Sequence, residues 1–137
     1  MVLSYRNLDV WKKSIQLIKH IYQLTENFPK HQQYGLTSQI QRAAVSIAAN
    51  IAEGRSRQST KEFLYFLNIS YGSLAETETH AIIANELGFI SSAILDKLLE
   101  DTNEIGKMIN GLVRSLENKK LPDPRPLTPD PFQPEAA

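Results

Sequence analysis

Residues 42–62, RAAVSIAANIAEGRSRQSTKE, determine how the chain folds. The first half places alanine and isoleucine at helical spacing, which predicts a helix that a neighbour can approach closely. We expect Gly54 to end this helix, because glycine adopts the left-handed conformation of helix C-termini at little cost. Ser59, followed three residues later by Glu62, forms a capping box, which predicts the start of a second helix. The stretch therefore predicts a corner between two helices.

On either side of this corner, apolar residues recur every three or four positions, which predicts four amphipathic helices in all. Asn7 is a favourable N-cap residue, Pro29 cannot continue a helix, and Gly88 is a stop signal. Short connections require sequential helices to pack side by side. The sequence thus predicts an all-α, antiparallel up-down-up-down four-helix bundle over residues 1–118. The expected helices run from Asn7 to Pro29, Leu36 to Glu53, Thr60 to Leu87, and Ser91 or Ser92 to Glu117.

The composition changes abruptly after the fourth predicted helix. Residues 119–137 include six prolines, and proline cannot continue a helix. We therefore expect a Pro-rich C-terminal tail that is extended or disordered. Its two Pro-x-x-Pro segments formally suit a proline-binding groove, but a solvated tail is the preferred interpretation.

Two features inside the predicted helices require an explanation. Ser46, Asn50 and Glu53 form a polar stripe on the second helix, which favours interhelical hydrogen bonds over catalysis because buried polar groups need partners. Gly72 lies in the middle of the third helix, at a cost of about 1 kcal/mol relative to alanine. A close helix crossing would explain this glycine, and the approach of its backbone to a ligand is the alternative.

The apolar positions of the first and third predicted helices form doubled stripes, wider than a four-helix core requires. Large residual apolar surfaces usually mark interaction surfaces. We therefore expect a homo-oligomer.

The zero net charge of the chain hides an uneven distribution. Residues 1–61 carry nine Lys or Arg and three Asp or Glu, a net charge of +6. Residues 62–104 carry one Lys and eight Asp or Glu, a net charge of −7. This segregation predicts a basic face and an acidic face. The alternative is that the first and third helices pack side by side and neutralise each other.

Several classes of function lack the residues that they need. The chain has no cysteine, which removes disulfides, thiolate metal sites and cysteine nucleophiles. It has no Glu-x-x-His pair for a di-iron site in a bundle and no phosphate-binding Gly-rich loop. We therefore expect a non-enzymatic protein without catalytic residues, metal or cofactor. No apolar run reaches membrane-spanning length and no signal peptide is evident, so we expect a cytoplasmic protein without a membrane partner.

Nucleic-acid binding is a class of function that these absences do not exclude. Clustered cations can neutralise phosphates and release counterions. We expect most of the candidate residues to cluster at the corner between the second and third helices, with one on the first helix. In a ring of identical subunits, such a cluster would be repeated around an axis and its field would be focused. The predicted nucleic-acid-binding residues are Lys13, Arg42, Arg55, Arg57 and Lys61.

Three blocks of the chain resemble one bacterial family. YRNLDVWKKSIQLIKHIY, YGLTSQIQRAAVSIAANIAEG and KEFLYFLNISYGSLAETETHAIIANELGFI are similar, in this order, to the four-helix-bundle family named for the 23S rRNA intervening sequence. The resemblance covers about Tyr5 to Leu116. It implies a homopentameric ring of antiparallel bundles. It also extends to the accessory variability proteins of diversity-generating retroelements, which are pentamers that bind nucleic acid and a reverse transcriptase.

The resemblance also bears on individual residues. Arg42, Arg55 and Lys61 stand at positions that are often basic in the family. Gln41 stands where many relatives have a second arginine, a departure that thins the basic surface.

Two functions are consistent with these observations. The first is a non-enzymatic oligomer that binds RNA, or RNA and DNA, through phosphate contacts. The second is a structural ring whose acidic and apolar faces hold a basic protein partner, such as a reverse transcriptase, without a role in nucleic-acid binding.

Overall fold

The computed structural model describes residues 4–118, which form four α-helices and contain no strand. The helices are α1 (Asp9–Thr25), α2 (Leu36–Ser56), α3 (Thr60–Glu86) and α4 (Ser92–Asn118), with 3-10 turns at Tyr5–Asn7 and Lys30–Gln32. The tail predicted for residues 119–137 lies outside the described residues.

The four helices pack as an antiparallel bundle. Each helix contacts the next along the chain, and α4 returns to contact α1. Between residues 4 and 118, no Cα atom of α1 lies within 8 Å of one in α3, and none of α2 lies within 8 Å of one in α4. The predicted fold class is therefore confirmed. The alternative that the first and third helices pack side by side is wrong, because they lie at diagonal corners of the bundle.

Branched aliphatic side chains from all four helices fill the core. They interlock in the centre of the bundle, and partly buried residues such as Trp11 and Leu112 pack around them. The side chains that are fully enclosed include Leu17, Ile21, Ile40, Ile47, Ile51, Leu67, Ile105 and Ile109.

The most extensive interface is the seam between α2 and α3. Small residues of α2 are buried, among them Ala43, Ala44, Ala48 and Gly54, and at Gly54 a Cβ would lie 2.7 Å from Phe66 Cβ of α3. Ser70 Oγ donates a hydrogen bond to the Ile47 carbonyl across the seam at 2.8 Å. Small side chains and interhelical hydrogen bonds therefore determine the spacing of this pair.

Gly54 does not end α2, and this prediction was wrong. The helix continues to Ser56, and among the described glycines only Gly88 has a positive φ, at 80°. Gly54 is buried, and a Cβ atom at this position would lie 2.7 Å from Phe66 Cβ. The glycine is there because α3 approaches the α2 backbone too closely for any side chain.

Other predicted helix boundaries were confirmed. Ser59 Oγ accepts a hydrogen bond from the Glu62 amide at 3.2 Å, as in a capping box. Gly88 follows the end of α3 in the left-handed conformation. Ser91 Oγ accepts from the Ile94 amide at 3.2 Å and so caps α4.

The first helix begins and ends differently from the prediction. Asn7 belongs to the 3-10 turn that Ser4 caps, and the N-cap of α1 is Leu8, which makes no side-chain capping bond. The helix ends at Thr25, before Pro29 is reached. The buried Thr25 hydroxyl donates to the Tyr22 carbonyl at 3.1 Å, a local bond that competes with continuation of the helix.

Among the residues that the structure describes, Gly72 does not mark a helix crossing. It is exposed, and no atom of residues 4–118 outside its own helix lies within 4 Å of a Cβ placed there. One side of α3 carries three exposed apolar residues, Tyr65, Ile69 and Ile83. They share this side because their positions are separated by multiples of roughly 3.5 residues. We call Tyr65, Ile69, Gly72 and Ile83 the α3 stripe.

Within residues 4–118, no helix has the length and apolar character needed to cross a bilayer.

Candidate nucleic-acid interface

The structure separates the five predicted phosphate ligands into three places. Arg55, Arg57 and Lys61 lie at the corner where α2 meets α3. Arg42 lies 13 positions before Arg55, which is about 20 Å along α2 and roughly 140° around it. Lys13 lies on α1 and faces α4. The corner therefore brings together three of the five residues.

Arg57 is held by the protein itself. Its guanidinium lies 3.0 Å from a Glu53 carboxylate oxygen and 3.7 Å from a Glu62 oxygen. It also stacks over the Phe66 ring, 5.3 Å from the centroid. These contacts join the end of α2 to the start of α3, so Arg57 has a structural role at the corner, and a phosphate would have to displace two carboxylates.

Lys13 is also engaged with carboxylates. Its ammonium nitrogen lies 3.0 Å from Glu104 and 3.8 Å from Asp101, both on α4. Asp101 is buried and accepts a hydrogen bond, at 3.0 Å, from Lys97. This hydrogen bond raises the pKa of Lys97 above its usual value of 10.5. Lys13 therefore belongs to the seam between α1 and α4.

The remaining predicted ligands are unpaired. No carboxylate of residues 4–118 lies within ion-pair distance of Arg42, Arg55 or Lys61. Arg42 and Lys61 are exposed and Arg55 is half-buried. Lys61 lies in the first turn of α3, where the helix dipole disfavours a cation. Its position is therefore not explained by helix stability.

A pocket of about 330 Å³ opens at the corner. Its polar side includes Arg55 and the first residues of α3, and its apolar side includes Phe63. The sequence did not indicate that the last turns of α4 also reach this pocket, because they are distant from the corner in the chain. The pocket is lined by Leu8, Arg55, Arg57, Gln58, Ser59, Thr60, Phe63, Leu112 and Leu116.

The polar stripe of α2 consists of hydrogen bonds within the protein. Ser46 Oγ and Ser73 Oγ lie 2.7 Å apart and share a hydrogen bond across the α2–α3 seam. Asn50 Nδ2 donates to the Ser46 carbonyl at 2.8 Å and to Ser46 Oγ at 2.9 Å. The prediction of interhelical hydrogen bonding is thus confirmed for Ser46. Asn50 orients it from within the same helix, and Glu53 instead pairs with Arg57.

The part of the chain that the structure describes contains no group of three or more His, Asp or Glu residues able to hold a metal ion. Three Lys or Arg side chains of residues 4–118, Lys13, Arg57 and Lys97, form ion pairs with carboxylates of this range, and the others do not. The unpaired cations are therefore available to a ligand.

The sequence model of the family described as 23S rRNA-intervening sequence protein matches residues 6–111. The chain belongs to this family. The matched range includes α1, the α2–α3 corner and most of α4. The membership of this family that the three sequence blocks predicted is confirmed, and the relation to the accessory variability proteins stays a prediction.

A solved structure of a family relative has a similar fold. This protein, of unknown function and from the S23 ribosomal protein family of Bacteroides thetaiotaomicron, is 27% identical, with a TM-score of 0.72. The similarity covers 77% of this chain and 95% of the Bacteroides protein. A search of curated proteins found no significant match. Neither the family description nor that of the Bacteroides protein names an enzymatic activity.

Proposed function

We propose that this member of the 23S rRNA-intervening sequence protein family is a non-enzymatic, cytoplasmic, oligomeric scaffold that binds RNA, or RNA and DNA, through phosphate contacts. The observation that carries the proposal is the presence of unpaired cations at the α2–α3 corner. Arg55 and Lys61 have no carboxylate partner among the described residues, whereas the neighbouring Arg57 has two.

The two unpaired cations would contribute differently to phosphate binding. The guanidinium of Arg55 can donate two parallel hydrogen bonds to a phosphate, whereas the ammonium of Lys61 acts as a mobile point charge. The first amides of α3 lie beside them, and a helix N-terminus favours negative charge. Binding of this kind recognises the backbone and gives little sequence preference. Arg42, far from the corner, would contact another part of the strand.

Self-association would repeat this corner around an axis. The α3 stripe leaves Tyr65, Ile69 and Ile83 exposed to solvent, and Gly72 among them leaves room for a closely approaching neighbour. We expect these residues to pack against another copy of the chain, and the resemblance noted above implies a pentamer. Summed fields from the repeated corners would then attract a polyanion more strongly than one corner does.

A second candidate function rests on the acidic side of the molecule. Glu86, Asp96 and Glu100 are exposed and form no ion pair within residues 4–118. A ring with such a surface could hold a basic protein partner, for example a reverse transcriptase, without contacting nucleic acid. In that case the cations at the corner would have no role in binding.

Light scattering can distinguish these functions. The mass of the wild-type protein would be measured alone and with rRNA fragments at low and high salt. We expect an oligomer that gains mass with RNA at low salt and loses it at high salt, because phosphate binding releases counterions. An oligomer that gains no mass with RNA at low salt would contradict nucleic-acid binding and favour the protein partner.

A matched pair of double variants tests the corner itself. The corner variant, Arg55→Gln with Lys61→Gln, removes two positive charges from the corner. The control variant, Lys12→Gln with Lys19→Gln, removes two exposed, unpaired charges from α1. We expect only the corner variant to bind RNA weakly. The slope of log affinity against log salt should also fall by roughly 0.7 for each single-strand phosphate that the variant no longer neutralises. Equally weak binding by both variants would show that net charge, and not the corner, is responsible.

A further inference from the structure

The loop between α1 and α2 is rigidly built, although it has little regular structure. The amides of Gln32, Gln33 and Gly35 donate hydrogen bonds of 2.9–3.1 Å to carbonyls three residues earlier. Gln32 Oε1 accepts a further hydrogen bond from the Leu36 amide at 3.1 Å, at the start of α2. The loop is therefore fixed by its own hydrogen bonds.

Both ends of this loop are anchored in the core. Phe28 is buried and packs against Phe89 from the α3–α4 connection, with 5.6 Å between the ring centroids. Leu36 is buried at the first position of α2. These anchors and the hydrogen bonds leave the residues between them little freedom to collapse onto the protein.

Tyr34 projects from this fixed loop into solvent. Its exposure is 90%, against 61% for Tyr65, the next most exposed large hydrophobic residue among those described. It makes no ring contact, ring–cation contact or side-chain hydrogen bond within residues 4–118. The aromatic ring thus contributes little to the stability of the protomer, and both of its faces are available.

The residues next to Tyr34 in the chain favour an anionic ligand, while the exposed carboxylate of Glu86 lies at the end of α3, at the same end of the bundle. Lys30 and His31 are exposed in the same loop, and neither forms an ion pair with the described residues. No acidic residue occurs between Glu26 and Glu53. Arg42, which is separated from the corner, lies about 9 Å along α2 from Leu36, in the half of the helix that adjoins this loop.

We propose that Tyr34 is a stacking platform for an unpaired base of a single-stranded nucleic acid, with Lys30 contacting the adjacent phosphate. Exposed aromatic side chains beside cations bind single strands in this way, because every base has a flat face. A base inside a duplex is already stacked on its neighbours and is not available to Tyr34. The platform therefore selects single strands, loops or bulges.

This inference rests on the proposed binding of nucleic acid but concerns a different place. Tyr34 lies about 30 Å from the corner, the length of α2. The corner would recognise phosphates in any strand, whereas the loop would recognise an unpaired base. Variants of the corner and variants of the loop can therefore be distinguished by which nucleic acids they bind weakly.

The test uses two RNA probes and the full-length chain. One probe is a single strand of about ten nucleotides with a fluorescent 2-aminopurine near its centre, and the other is the matching duplex. Wild type would be compared with Tyr34→Ala, with Tyr34→Phe, which retains the ring, and with Tyr71→Ala, which removes an exposed tyrosine from the middle of α3. Circular dichroism would establish that every variant is folded.

We expect Tyr34→Ala to weaken single-strand binding by at least about fivefold and to leave duplex binding unchanged. Tyr34→Phe and Tyr71→Ala should bind both probes as the wild type does, and stacking should quench 2-aminopurine only in proteins with a ring at position 34. The corner variant Arg55→Gln with Lys61→Gln should weaken binding of both probes.

Three outcomes would overturn the inference. If Tyr34→Ala binds the single strand like wild type, the platform does not exist and the proposed function stands. If it weakens both probes equally, the residue does not select unpaired bases. If wild type binds neither probe, the proposed function and the platform both fail.

Discussion

At the residue scale, Gly54 determines how closely the two helices of the corner pack. The glycine lets Phe66 and Phe63 of α3 lie directly on the α2 backbone. Three residues later Arg57 covers the Phe66 ring and binds the carboxylates of Glu53 and Glu62. The position of the corner, and of the unpaired cations beside it, therefore depends on the absence of a side chain at position 54.

Gly54→Ala should destabilise the protein by about 1–3 kcal/mol, because the added methyl group overpacks the contact with Phe66. Gly111→Ala is the matched control: Gly111 lies in α4, and a Cβ there would meet nothing within 4 Å. It should stabilise the protein by up to about 1 kcal/mol through helix propensity. Urea unfolding measures both changes. A Gly54→Ala variant as stable as wild type would mean that α3 can retreat without cost.

These glycines also show how far sequence reasoning could go. Gly88 and Ser59 were correctly predicted as helix boundaries, because a positive φ and a side-chain cap are local properties. Gly54 was misinterpreted, because a helical glycine is explained by what lies opposite it, and that depends on the tertiary structure. The ion pairs of Lys13 also depend on tertiary structure, because its partners Asp101 and Glu104 are distant in the chain. Arg42 was expected at the corner, but α2 is continuous from Leu36 to Ser56 and keeps it apart.

At the element scale, the four seams of the bundle differ in kind. The α2–α3 seam is close-packed by small residues, whereas the α1–α4 seam is the least extensive of the four. At its centre, the buried Asp101 carboxylate accepts from Lys97 and lies 3.8 Å from Lys13. A charged cluster therefore fixes the register of the weakest seam.

Asp101→Asn should weaken the α1–α4 seam and lower the free energy of unfolding by about 1 kcal/mol, because a charge-assisted hydrogen bond and an attraction to Lys13 are removed. The difference from wild type should shrink at high salt, since exposed partners are screened. Urea unfolding at several salt concentrations measures this. An unfolding free energy that does not differ from wild type at any salt concentration would show that the cluster does not hold the seam.

The pH dependence of the same cluster has a definite sign. The pKa of Lys97 is raised in the folded state because its ammonium donates to Asp101. The stabilisation is therefore fully present below the usual lysine pKa of 10.5 and is lost as the pH rises through the folded-state value. The wild type should lose slightly more stability above pH 10.5 than Asp101→Asn does. A parallel decline in the two proteins would contradict this assignment.

At the scale of the whole molecule, the surface of the protomer is divided by chemistry. Unpaired cations occupy the α2–α3 corner, exposed carboxylates lie along the end of α3 and the start of α4, and the α3 stripe is apolar apart from the exposed Glu76 between Gly72 and Ile83. A protomer that acted alone would have no use for exposed apolar residues such as Tyr65, Ile69 and Ile83 on α3. This division is typical of a subunit that contacts its own copies and a separate ligand.

Ile69→Glu should convert the proposed oligomer into protomers, because burying an unpaired carboxylate in an apolar interface is costly. Ile15→Glu is the matched control, since Ile15 is similarly exposed but lies on α1. Light scattering should give the protomer mass for the first variant and an unchanged mass for the second. If Ile69→Glu keeps its mass and Ile15→Glu does not, the interface lies on α1.

The close-packed seam between α2 and α3 has a consequence for folding kinetics. These two helices are joined by only the three residues between Ser56 and Thr60, so their extensive interface closes a very short loop. Such contacts cost little chain entropy and form early. The α2–α3 hairpin would act as the folding nucleus, and α1, which must find α4 at the far end of the chain, would dock last. The region that carries the unpaired cations would then be ordered before the rest of the bundle exists.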